Sequence, residues 1–412
     1  MELISIARKK AEETLGRCLS PVGIKAAAAY YPQVWARDGV EASFGALLVG
    51  RKEFTDAARA GLTVLGKHAT PLGHVPNFVP VDEAGAGEVG VSNAVDSNAW
   101  FVIGHAYALE VTGDDAFAKG AWEVLSKALL WLRYQDYNDC GLLEVHECSD
   151  WADLFPNRFN ALCQNVLYFA ALRAAERMAS RLKLQLPKGL PSSDGVRDRL
   201  RTLFWLPGDE AERGRRIKQL EKWNHEWALV YSQMSALWWE RDYFIPYVLM
   251  RILGSDRFDT LGNLLAVLFG VASKEQAVKI LRYMQTRGVD QPLPVRACHP
   301  RVEPGDPDWR DYFLNREYCR PGSAHNGGIW PFLGGFYVAA LAHAGMQEAA
   351  GEALECLAAA NAQDDWAFNE LLHADTGLPI GARDQAWSCG MYIYAYEAVV
   401  NGRSPLPAIV GD

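Results

Sequence analysis

The 412-residue sequence has no apolar run near the roughly 18 residues that a membrane-spanning helix needs. It also lacks a basic excess. Lys and Arg number 41 against 50 Asp and Glu, a net charge of −9, so a phosphate backbone is excluded as the main partner and an anionic membrane surface is disfavoured. The eight cysteines, at 18, 140, 148, 163, 298, 319, 356 and 389, form no CxxC pair, which argues against a disulfide scaffold or a structural zinc site. There is no P-loop, no GxGxxG after a strand, no HExxH and no GxSxG, and the nine histidines do not cluster at metal-ligand spacing. The first twenty residues, MELISIARKKAEETLGRCLS, read as a charged amphipathic helix and not as a signal peptide. With unpaired thiols, this predicts a cytoplasmic protein.

What is present is ordinary in bulk and unusual in aromatics. Half of the residues are hydrophobic and 22% are charged, enough apolar surface to bury a large core and to exclude disorder as the main state. The chain carries 14 Trp, 16 Tyr and 16 Phe, and much of the Trp sits beside polar residues. Core packing accounts for some of these rings, and stacking on the apolar faces of sugars is the other reading.

Convincing strands are few. The long segments are helical in period and alternate in character: 93–112, 260–272 and 329–344 are apolar on nearly all faces, whereas 114–133, 274–287 and 346–359 are amphipathic. A helix apolar all round is buried on all sides, and a one-sided helix faces water. Alternation of the two predicts about ten to twelve helices in an inner ring wrapped by an outer ring. Short links, 111–115 and 271–275, join inner to outer members at one end. Longer polar loops, 69–92, 135–157, 288–328 and 361–384, lie at the other end, where a helical toroid carries its site. The polar stretch 182–222 reads as an outer excursion within one domain spanning 1–412.

Five blocks in or beside those loops carry chemistry. Trp35-Ala36-Arg37-Asp38 places a carboxylate where it either starts a helix or binds sugar hydroxyls. Asp96, with Trp100 one turn on, opens an apolar helix in which an unpaired carboxylate is costly. Asp150 and Asp153 flank Trp151 ahead of a helix, which reads as helix-start acidity or as a site. His325-Asn326-Gly327-Gly328-Ile329-Trp330 presents polar groups in a Gly-rich loop. Glu370, then Gln385-Ala386-Trp387, precede the last apolar helix. Carboxylates set in Trp- and Gly-rich loops are the parts of a glycosidase.

In this order the blocks resemble the (α/α)6-barrel glycoside hydrolases over about residues 30–400. Trp35-Ala36-Arg37-Asp38, Val95-Asp96-Ser97, Thr260 to Leu264 and His325 to Gly328 are similar to the alkaline/neutral invertases. Asp150-Trp151-Ala152-Asp153 and Gln385 to Ser388 resemble the glucosidase domain of glycogen debranching enzymes. The resemblance implies Asp153 as general acid and Glu370 as catalytic base. It places Asp38, Asp96, His325, Asn326, Gln385 and Trp387 around the substrate, and Trp35, Arg37, Trp100, Asp150, Trp151 and Trp330 in the same blocks complete the expected substrate-binding set. It implies inversion, a small carbohydrate substrate, and no metal or organic cofactor; a homo-oligomer is compatible with it. An acid that stays protonated near neutral pH leads to the expectation that Asp153 is buried beside Trp151. Invertases carry Asp-Arg-Arg-Met after the acid, where this chain has Asp153-Leu154-Phe155-Pro156. Release of a terminal sugar from a sucrose-like glucoside is the leading expectation. An amylo-α-1,6-glucosidase, a sugar isomerase or epimerase and a non-catalytic sugar-binding toroid are the alternatives.

Overall fold

The computed structural model describes residues 2–81, 89–90, 94–250, 252–315 and 319–411. Parts of the expected loops 69–92 and 288–328, and the first residue of the expected helix 93–112, lie outside them. Among the described residues there are sixteen α-helices, one 3-10 turn and five small sheets of two or three short strands.

Six helices pack side by side and close a ring: Ala36–Val49, Asp96–Thr112, Leu162–Leu182, Thr260–Leu268, Pro331–His343 and Ala386–Val400, the last returning to the first. They are the segments whose apolar residues run round every face. In helix Pro331–His343, Phe332, Leu333, Phe336, Tyr337 and Leu341 are all buried, although they point in different directions. Outside the ring lie the one-sided helices. Lys52–Lys67 buries Phe54, Leu62 and Leu65, and Lys274–Thr286 buries Ile280, Leu281 and Met284, while their charged faces stay in water. This is an (α/α)6 barrel.

The helix count exceeds the expected ten to twelve because outer segments break up. The 114–133 stretch divides at Ala121 into Asp115–Gly120 and Trp122–Arg133. The 182–222 excursion supplies Ser193–Phe204 and Glu210–Trp223, the latter paired with His225–Trp238. The N-terminal segment is the helix Glu2–Cys18. It lies on the last inner helix, with Tyr392 donating to the Ile4 carbonyl at 3.1 Å and Arg8 3.6 Å from Glu397.

The ring closes most tightly between its first and last helices. A Cβ on Gly45 would lie 2.0 Å from the Gly390 carbonyl oxygen, so these backbones touch where any side chain would part them. At the opposite end from the long loops, inner helices stop in tight left-handed turns, as at Gly50 and Gly113. No helix of the described residues is long and apolar enough to cross a membrane. All eight cysteines are free thiols.

Candidate active site

The inner helices begin at the end that carries the long loops, and short strands and bridges lock the residue just ahead of several of them. Val34–Trp35 pairs with Phe78–Val79, Phe258–Asp259 with Cys298–His299, Ile329 bridges Leu372, and Ala27 bridges Gln385. Side chains at these starts therefore point into the mouth of the ring from a rigid frame. Helix N-termini also carry partial positive charge, which favours the carboxylates gathered there.

A cavity of about 280 Å³ opens at this end, near the lower limit for small-molecule sites (roughly 300–1,000 Å³). Trp35, Arg37, Asp38, Trp151, Asp153, His325, Trp330, Glu370 and Trp387 line it, together with Tyr30, Tyr31, Leu154, Ala324 and Leu371. The structure thus brings nine of the fourteen sequence-expected residues onto one surface.

Depth orders the lining. Arg37, Asp38, Trp151, His325, Trp330 and Trp387 are buried and form the floor and lower walls. Trp387 stacks on Phe332 with centroids 4.1 Å apart, and His325 stacks on Trp330 at 5.1 Å while meeting Trp151 edge-on. The indole N–H groups of Trp35, Trp151 and Trp387, Nδ1 of His325 and Oδ2 of Asp38 have no hydrogen-bond partner within the protein. Buried polar groups left open in this way are costly unless a ligand or water meets them.

Arg37 is the one cation of this lining among the described residues. Burial works against its charge, but Asp96 at 3.2 Å and Asp38 at 3.7 Å hold it firmly protonated. Burial raises the Asp38 carboxyl to about 6 against the pull of Arg37. Burial also draws the His325 imidazole down to about 4, so it is neutral at physiological pH.

The two proposed reacting carboxylates are held differently. Asp153 sits at the tip of a tight turn: Asp150 Oδ1 accepts the Ala152 N–H at 2.9 Å, and the Phe155 N–H donates to the Ala152 carbonyl. The turn leaves Asp153 exposed at the mouth, so the burial expected around it surrounds Asp150 instead, whose carboxyl burial raises to about 6. Glu370 is half-buried on the wall. Its N–H donates to the Ala382 carbonyl and its Oε2 accepts the Ala382 N–H, each at 2.8 Å. Burial raises the Glu370 carboxyl to about 7, and Asp38 and Asp153 add to the rise through their negative charge. The position facing Oε2 is Gly381, with φ +84°, where a Cβ would lie 2.6 Å from that oxygen.

The other five expected residues lie outside the lining. Asp96 is beneath Arg37 and acts on it. Trp100, one turn deeper than Asp96, is a core residue packed near Phe44 and Phe336. Asp150 shapes the turn that carries Asp153. Asn326 braces its loop, accepting from the Val302 N–H and donating to the Val302 and Cys319 carbonyls. Gln385 is buried with both ends of its amide unpartnered. Trp309 and Trp366, loop aromatics with stacking potential, lie near Phe313 and Phe368 and are not part of the lining. Sequence reasoning left Tyr30, Tyr31 and Leu154 out of the site, although the Tyr pair directly ahead of Trp35 was a usable signal. Among the described residues, no three His, Cys, Asp or Glu side chains converge as metal ligands would.

Comparison with known proteins gives a consistent picture. The family described as alkaline and neutral invertase matches residues 81–401. Probable alkaline/neutral invertase D of Arabidopsis thaliana is 25% identical, the alignment covering 89% of this chain and 74% of that protein. A mitochondrial neutral/alkaline invertase 1 of Oryza sativa subsp. japonica is 30% identical over a shorter stretch, 33% of this chain and 22% of its own. Among solved structures, the GH63 mannosylglycerate hydrolase from Thermus thermophilus, in complex with Tris and D-glycerate, superimposes with a TM-score of 0.67 at 14% identity, covering 94% of this chain and 99% of that one. Hormoconis resinae glucoamylase gives 0.60 at 14% identity, over 98% and 74%. At such identities the structural likeness is one of fold.

Proposed function

The chain belongs to the alkaline and neutral invertase family and is a glycosidase, and from that premise we propose that it releases a terminal glucose from a small glucoside with inversion. The observation that carries this reading is the cavity itself: Asp153 and Glu370, from the middle and the end of the chain, stand on one surface above a floor of Trp rings and open polar groups.

In this mechanism the terminal sugar descends to the floor. Its apolar faces meet Trp35, Trp151 and Trp387, and its hydroxyls meet Asp38, Arg37, His325 and the free indole N–H groups. The glycosidic oxygen then lies level with Asp153, which gives it a proton as the C–O bond breaks. Glu370, ionised, removes a proton from the water that attacks the anomeric carbon from the other side. Two carboxyls about 6.5–9.5 Å apart leave room for that water. The products are the free alcohol and the sugar of inverted anomeric configuration. Both proton transfers are supplied by side chains, so the chemistry calls for no metal or organic cofactor.

On the proposed reading the long loops around the mouth wall the cavity, so that it admits a chain end and no chain interior, which predicts exo-action. The test is a hydrolysis screen over sucrose, short α-glucosides and an α-1,6-branched oligosaccharide, with the product anomer followed by NMR. Monosaccharide release of inverted configuration fits. Internal fragments or a retained anomer would overturn the reading, and cleavage of the branched substrate alone would favour the debranching-type alternative.

A further inference from the structure

We infer that the leaving group is uncharged and presents an apolar face, and that Tyr30, Tyr31 and Leu154 at the cavity mouth hold it. This rests on the proposed glucosidase reading and names the part of the substrate that the reading leaves open.

The argument begins with depth. The buried floor takes the sugar, and Asp153, beside the bond to be broken, is exposed at the mouth, so the leaving group lies further out than Asp153. The residues at that level are Leu154, next in sequence to Asp153, and the tyrosine pair. Tyr30 is 69% exposed and Tyr31 is half-buried behind it, their rings edge to face at 4.8 Å. Tyr31 in turn leans on Trp35 at 6.4 Å, which lies near Phe78 at 4.6 Å. An exposed ring backed by a half-buried one, with an aliphatic side chain beside them, is a platform for a ring or an alkyl face.

Charge decides what the platform refuses. Among the described residues of the lining, the carboxylates are Asp38, Asp153 and Glu370, and the cation is Arg37. Arg37 is buried at the floor and already paired with Asp96 and Asp38, so its charge is neutralised before any ligand arrives. His325 is neutral. A leaving group bearing a carboxylate or phosphate would therefore meet the ionised Glu370 of the proposed mechanism and the Arg37 cluster, which holds two carboxylates to one cation, with no opposing cation among the described residues of the lining. One unbalanced negative charge about 8 Å away, at the effective dielectric of a protein surface, disfavours an anion by roughly 30-fold.

The test uses matched substrates. Glucosyl fluoride, whose leaving group is too small to reach the platform, reports glucosidase chemistry alone. Sucrose is then compared with sucrose phosphorylated on its fructosyl ring, and a 4-acetylphenyl α-glucoside with its 4-carboxyphenyl counterpart. The expected result is that the neutral member of each pair that is cleaved has the higher kcat/KM by at least about 30-fold, and that raising the salt narrows the gap. Leu154→Arg is expected to move the ratio toward the anionic member by about tenfold or more. Equal rates within a pair, preference for the anion, or fluoride hydrolysis without cleavage of either neutral glucoside would overturn the inference. Failure to cleave glucosyl fluoride would instead remove the glucosidase reading, and the inference falls with it.

Discussion

Gly381 is the position where a single methyl group tests the proposed base most directly. Its φ of +84° is a left-handed conformation, and a Cβ there would lie 2.6 Å from Glu370 Oε2, 2.9 Å from Leu371 Cδ2 and 3.1 Å from Glu370 Cβ. Ordinary contact begins near 3.4 Å. In Gly381→Ala the carboxylate oxygen must therefore retreat by about 0.8 Å, and its 2.8 Å bond from the Ala382 N–H is strained or lost. Misplacement of a reacting group by about 1 Å can cost on the order of 100-fold in rate. The left-handed alanine adds about 1–2 kcal/mol of instability, independent of Glu370. The expected outcome is kcat down about 100-fold, KM within a few-fold and a Tm lower by roughly 1–3 °C.

Gly377→Ala supplies the control. Its φ is +66°, so it carries a similar backbone cost, but its nearest neighbours are Leu293 and Pro292 at 3.8 and 3.9 Å, and Glu370 is not among them. Steady-state kinetics and calorimetry on both variants separate strain from catalysis. If Gly381→Ala retains kcat within about threefold, or if Gly377→Ala loses as much, Glu370 is not the group whose placement sets the rate.

Three further predictions follow from the same groups. Asp153→Asn and Glu370→Gln each remove a proton transfer and little volume, and each should lower kcat by about 10²–10⁴-fold with Tm nearly unchanged, read by single-turnover assay and calorimetry. If Glu370 is the base it acts ionised, and since burial raises its carboxyl to about 7, kcat/KM should climb with pH through about 7; an acid limb near 4.5 would show that burial does not govern it. Glu41 is fully buried, neither of its oxygens has a partner, and burial holds its carboxyl well above the ordinary 4.5. The raised folded value means that stability present below 4.5 is lost as pH rises, by about 1.4 kcal/mol per unit for one proton. Glu41→Gln should remove that slope, so its Tm should gain on the parent between pH 5.5 and 8; a constant difference across that range would count against a buried neutral acid.

The ring was legible because the period of burial is written in the sequence. Segments such as 331–343, apolar in every direction, have no stable place except between neighbours, and the one-sided segments that follow them have no stable place except outside. The carboxylate positions were legible for a related reason: Asp38 and Asp96 open apolar helices, where an acid is too costly to be there without a partner. What was not legible depends on which way a side chain turns. Asn326 has the composition of a ligand donor, but its amide is consumed by Val302 and Cys319. Asp150 and Asp153 differ by three positions, and only the bond from the Ala152 N–H to Asp150 decides which of them faces the cavity. Trp100 follows Asp96 by one helical turn, which carries it below the cavity and into the core. Leu154 has no signature of chemistry, and the Tyr30–Tyr31 pair signals a site only by standing ahead of Trp35; the closing of the ring brings all three to the mouth.

Depth also bears on which carboxylate does what. A raised carboxyl suggests an acid at first sight, and burial raises that of Glu370 to about 7. Position argues the other way. The cup is closed below, so the terminal sugar fills the floor and its leaving oxygen faces outward, toward the residue at the mouth. That residue is Asp153. In the proposed pose Glu370, more buried on the wall, faces the anomeric carbon and the water beside it. Its raised carboxyl is then a property of the empty cup, set by burial and by the charges of Asp38 and Asp153. On this reasoning the proposed roles follow from where each carboxylate stands along the axis of the ring.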